Sequence, residues 1–167
     1  MNRELQRYLE QLIRTEYVSV VHDYDQMETS YTIPYNATSA PRKIKIMLLR
    51  ADGIIDDEDE IDGDDDIDAL GENLFDFMTP EFVLSTTHYI NNRNKLVTQY
   101  TLDFDGTILY QKSYPSDTIN ARSPIFRLMK MCSDKVITQE RVAQKYKMEK
   151  MFLSMNMFKL NAQRGRK

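Results

Sequence analysis

Near the start of the chain, Leu5, Tyr8, Leu9, Leu12 and Ile13 recur at three- and four-residue intervals. That spacing puts them on one side of a helix, with Arg3, Glu4, Arg7, Glu10, Gln11 and Arg14 opposite and Asn2 placed to cap the first turn. The runs at 17–22 and 27–35 are rich in β-branched and aromatic residues and predict two strands, with Asp23 and Asp25 in the turn between them. Pro34 and Pro41 bracket a loop, since proline donates nothing to a sheet ladder. The segment KIKIMLLR at 43–50 alternates and then becomes continuously apolar, which predicts a strand buried at its far end. Three more β-prone runs, 81–90, 95–103 and 107–114, are joined by the polar turn Asn91-Asn92-Arg93-Asn94 and by the tight turn around Asp105-Gly106. They predict an antiparallel meander. Ser123-Pro124 is a helix-opening signal, Ser133-Asp134 interrupts or bends that helix, and a long helix is expected over 138–160. On the long helix Met148, Met151, Phe152, Met155 and Phe158, with Val142 and Tyr146 before them, are expected to share a side.

The expectation is therefore one α+β domain over 1–167: an N-terminal helix, an antiparallel sheet of about five strands, and C-terminal helices. At 167 residues it is long enough to bury a core without staples. The longest apolar run falls far short of a membrane span, so no membrane is expected. A single cysteine, Cys132, and no apolar leader after Met1 point to a reducing interior, cytoplasmic or nuclear.

Charge changes the picture. The overall charge is −4, but residues 1–111 hold 9 Lys/Arg against 22 Asp/Glu, and residues 112–167 hold 13 against 4. The two parts thus carry −13 and +9. Such polarity suits internal pairing or two faces that meet partners of opposite sign. The negative charge concentrates at 52–68, where 11 of 17 residues are acidic. Its members Asp56, Asp57, Glu58, Asp59, Glu60, Asp62, Asp64, Asp65 and Asp66 repel one another, and an exposed acidic loop is expected. Gly63 falls at the sixth place of a twelve-residue calcium loop, but Asp65 stands where an apolar residue belongs and Ala69 where a bidentate glutamate is needed. Neither a metal site nor a cofactor is expected. The loop could instead mimic nucleic acid in a basic groove.

Positive charge gathers at the other end. Arg141, Lys145, Lys147, Lys150 and Lys159 decorate the long helix, and Arg164, Arg166 and Lys167 follow in a basic tail at 162–167. These eight suit a polyanion, either nucleic acid or an acidic protein surface. The deformable Met/Phe stripe beside them suits a partner groove or a second copy of the chain.

One motif resembles an enzyme's. Asp103, Asp105, Gly106 and Thr107 stand as in the Asp-x-Asp-Gly-Thr nucleophile motif of haloacid-dehalogenase-like phosphatases. The resemblance implies a phosphoryl-accepting Asp103, a proton-handling Asp105 and Mg²⁺. That family opens a parallel α/β fold with the motif, whereas the flanking runs here are those of a hairpin, and only 4 acids follow in the basic part. His22, His88 and Cys132 lack the spacing of a zinc site or a triad. The expected function is thus a non-catalytic interaction or regulatory protein, acting through charged surfaces in a protein or nucleoprotein assembly. The alternative is direct nucleic-acid binding through the C-terminal helix and tail, and a phosphatase ranks third.

Overall fold

The structure is a computed structural model, and it describes residues 1–56, 80–118 and 122–164. Helix α1 (Arg3–Thr15) opens with the Asn2 side chain accepting the Glu4 N–H at 2.8 Å, and Leu5, Tyr8, Leu9, Leu12 and Ile13 are all buried. Strands β1 (Ser19–Asp23) and β2 (Glu28–Pro34) form a hairpin whose turn is held by the Asp23 carboxylate, which accepts the N–H groups of Asp25 and Gln26. Strands β3 (Glu81–Ile90), β4 (Leu96–Phe104) and β5 (Thr107–Pro115) complete a five-stranded antiparallel sheet in the order β1-β2-β3-β4-β5. The α+β architecture and the C-terminal meander follow the periodicity of the sequence.

The segment 43–50 does not. Instead of a strand it forms helix α2 (Arg42–Ala51). Pro41 starts it with an extended backbone and accepts the N–H groups of Ile44 and Lys45, both at 3.0 Å. Ile44 and Leu48 turn to the main core, while Ile46 and Leu49 meet Ile54 and Ile55. A helix covered on two sides reads as an unbroken apolar run, and four residues of Lys/Ile alternation are too few to separate the two periods. Gly53, at φ 73°, ends the helix: its N–H reaches the Arg50 carbonyl, and the Ile54 N–H reaches that of Leu49.

The third helix also departs from expectation. Ser133-Asp134 neither breaks nor ends it, and α3 runs without interruption over Pro124–Arg164. Asp134 is exposed and its carbonyl accepts the Thr138 hydroxyl, so the pair costs only its modest helix propensity. The acidic residues 57–68, the segment 72–78, whose sequence predicts a short helical turn before Thr79-Pro80, and Arg166 and Lys167 lie outside the described residues. Asp56, the first of that acidic set, is exposed.

One face of the sheet carries the core: Tyr31, Ile33, Phe82, Leu84, Leu102 and Phe104 are buried beneath the helices. The other face presents Thr32, Ser85, Gln99 and Thr101, all partly exposed. At the centre of the core Phe82 and Phe104 lie 4.8 Å apart, with Tyr8 and Tyr35 edge-on to Phe82. The Tyr8 hydroxyl donates to the Asn36 carbonyl at 2.8 Å, so this buried ring leaves no polar group unpaired. Among the described residues, no helix is long and apolar enough to cross a membrane.

Candidate functional site: an exposed helical arm

The first four turns of α3 are anchored. Ile125, Leu128 and Cys132 are fully buried, and Phe126 packs against Tyr100 and Tyr114. Burial pushes the Cys132 thiol up to about 12, so it is an inert core group. Arg127 Nε pairs with Glu10 at 2.7 Å, and Lys135 Nζ donates to the Arg14 carbonyl at 2.9 Å. The last tie is Gln139. Its Oε1 accepts the Val18 N–H at 2.9 Å and its Nε2 donates to the Val18 carbonyl at 2.7 Å.

Beyond Gln139 the helix leaves the domain. Every residue from Glu140 to Ala162 is exposed, a span of about 35 Å at 1.5 Å per residue. Ten large apolar side chains on this arm are 56–76% exposed. At 100° per residue they fall into two rows. Met148, Met151, Met155, Phe158 and Ala162 follow at alternating intervals of three and four, with Phe152 on their flank. Val142 and Tyr146, expected on the methionine side, run instead along the opposite side with Leu153, Met157 and Leu160, because 100° per residue carries them half a turn away. A helix apolar on opposite sides is ordinarily enclosed by other protein, and an exposed apolar surface of this extent marks an interaction site.

The basic residues that decorate the long helix lie on both sides of the methionine row. Arg141, Lys145 and Lys159 border one edge of the methionine row, and Lys147 and Lys150 border the other. All five are exposed. The shallow concavity between Lys147, Lys150, Met151, Ser154 and Met155 is walled by a single helix, the shape a neighbouring helix's side chain fills. Arg164 sits in the last described turn, and its side chain lies outside the described residues.

The phosphatase-like residues form a turn in an antiparallel hairpin. Asp105 (φ 50°) and Gly106 (φ 85°) are its two central residues, and the Asp103 carboxylate accepts the Gly106 N–H at 3.0 Å. The motif therefore sits at no strand-to-helix junction. The sequence pattern gave no sign of one neighbour of this turn, Asp52, at the end of α2. Asp52 Oδ1 accepts the Thr107 hydroxyl at 3.3 Å. Burial, then the charge of Asp105 and to a smaller extent that of Asp103, raise the Asp52 carboxyl above its ordinary value, against the lowering effect of Thr107.

A group whose folded-state value is raised favours folding while protonated, and that contribution is lost as pH rises through the folded value. Asp52→Asn should therefore raise the melting temperature at neutral pH. The gain should vanish below the ordinary carboxylate range, as scanning calorimetry at the two pH values will show. A gain that persists in acid would mean that the Asp52 charge, disfavoured by burial and by the neighbouring carboxylates, is not its source.

His22 Nδ1 and His88 Nδ1 each lie within hydrogen-bonding distance of a threonine hydroxyl, Thr29 and Thr98 respectively. Among the described residues, no three His, Cys, Asp or Glu side chains are grouped to hold a metal ion. Fold and arm together describe a two-layer α+β head that carries a long helix with unpartnered apolar rows. No family model matches the chain, and neither does any curated protein or solved structure.

Proposed function

We propose that this chain is a non-catalytic interaction or regulatory protein of the cell interior, cytoplasmic or nuclear, working within a protein or nucleoprotein assembly. The head anchors the helical arm, and the arm docks onto a protein partner. The observation that carries the reading is the arm's exposure: ten large apolar side chains on the stretch from Glu140 to Ala162, every residue of which is exposed. The Met/Phe row supplies the apolar contact, and Arg141, Lys145, Lys147, Lys150 and Lys159 favour a partner with an acidic rim.

The test is capture of the intact protein and its companions from the host, with and without nuclease, beside a Phe152→Asp/Leu153→Asp variant. Both side chains are about two-thirds exposed, so the variant should melt within about 1 °C of the parent, as surface changes shift stability little. It should lose its protein companions, and nuclease should not release them from the parent. Companions retained by the variant would overturn the arm as the docking surface.

The alternative is direct nucleic-acid binding, supported by the exposure of the five arm cations. On that reading the captured material is nuclease-sensitive. Neutralising Arg141, Lys145, Lys147 and Lys150 would then flatten the salt dependence of binding, by about one unit of log–log slope for each phosphate no longer neutralised.

A further inference from the structure

The arm's two apolar rows need two different coverings, and the methionine row carries its own specification. Building on the reading of the arm as a docking surface, we propose that a second copy of this chain covers that row. The two arms then form a parallel, in-register, two-stranded coiled coil along Met148, Met151, Met155, Phe158 and Ala162.

Spacing comes first. The alternating three- and four-residue intervals are those of a coiled-coil seam, placing Met148, Met155 and Ala162 at position a and Met151 and Phe158 at position d. Orientation follows from the flanking charges. With that register Glu140 is at g and Lys145 at e, so in a parallel pair Glu140 of each arm faces Lys145 of the other, with opposite charges meeting on both sides. The remaining g-to-e neighbours, Lys147 with Phe152 and Ser154 with Lys159, bring no like charges together, and the one like-charge contact is that of Arg141, at position a beside the Glu140 pair, with its copy. An antiparallel pair centred on the same seam instead brings Lys145 of each arm against Lys159 of the other, a repulsive contact made twice. Charge therefore selects the parallel form.

Extent fits as well. Three methionines and two phenylalanines per arm, each more than half exposed in the single chain, cover on the order of 1,000 Å² when two arms meet. That is near the lower bound for a specific interface, so association should be reversible on dilution. Val142, Tyr146, Leu153 and Leu160 remain on the outside of the pair, free for the partner proposed above.

Sedimentation equilibrium of the full chain decides the matter without that partner. The average mass should rise with concentration from 19.7 kDa toward twice that value. Met151→Asp/Phe158→Asp should hold the mass at that of one chain while the head's melting transition is unchanged, which guards against mistaking unfolding for loss of pairing. Met148→Cys gives an independent readout on an otherwise unaltered arm. Oxidation should link two chains through residue 148, whereas the parent, whose Cys132 is buried, should give no linked species. A single-chain mass at every concentration overturns the proposal, as does a pair that survives the double substitution or a mass of three or more copies. Pairing without the 148–148 link overturns the parallel orientation. A monomeric protein whose partners still depend on Phe152 and Leu153 would sink this inference and leave the proposed function standing. A monomer without arm-dependent partners would sink both.

Discussion

Phe82→Ala should lower the free energy of unfolding by about 3–5 kcal/mol, enough to bring a domain of this size near its unfolding threshold. Phe82 is fully buried in β3, opposite Ile33 of β2 and Phe104 of β4. Its ring contacts those of Tyr8, Tyr35 and Phe104. Those neighbours come from a helix, a loop and a strand, and strands on both sides fix the backbone. The site has little freedom to collapse onto the space vacated, so the cavity cost adds to the forfeited transfer free energy. Urea denaturation will show the change as a lower midpoint at constant slope. A loss under about 1.5 kcal/mol would mean that α1 moves in to fill the space and that the aromatic centre is less rigid than its geometry implies.

The same residues show why parts of the fold were readable from sequence. Leu5, Tyr8, Leu9, Leu12 and Ile13 sit on one side of α1 because a helix lying on a sheet buries one side and wets the other. The meander was readable because Asp105-Gly106 can hardly be anything but a two-residue turn once alternating runs flank it. Helix α2 was hidden where that contrast fails: Ile46 and Leu49 have an apolar neighbour of their own in Ile54 and Ile55, so no polar side marks the helical period. The continuity of α3 was masked by Ser133 and Asp134, whose preference for breaks is outweighed by Ile125, Leu128 and Cys132 packing on the other side. The arm's Met/Phe row was found by its spacing, but spacing reports only that a surface is to be covered. Whether the cover belongs to the same chain depends on where the helix leaves the head.

That exit is set by Gln139, and Gln139→Ala should cost about 2 kcal/mol. Val18 is nearly fully buried, and the Gln139 side chain satisfies both its N–H and its carbonyl. Alanine leaves a partly buried donor and acceptor without partners, a penalty of about 1–3 kcal/mol reduced by whatever water can enter. The loss reaches beyond stability, because this pair of bonds joins the last packed turn of α3 to the residue that leads into β1. Lys135 on the Arg14 carbonyl is the next tie back along the helix. Without Gln139 the turn between them should fray from the head and swing the arm. Hydrogen exchange should accelerate at the Val18 amide and in the α3 turn ending at Gln139, while the buried turn around Leu128 stays protected. Gln139→Glu keeps an acceptor for the Val18 N–H but sets a carboxylate against the Val18 carbonyl, so it should recover none of the second bond. If alanine costs less than about 0.5 kcal/mol and exchange at Val18 is unchanged, the arm's direction is held by the packing of Ile125, Leu128 and Cys132 alone.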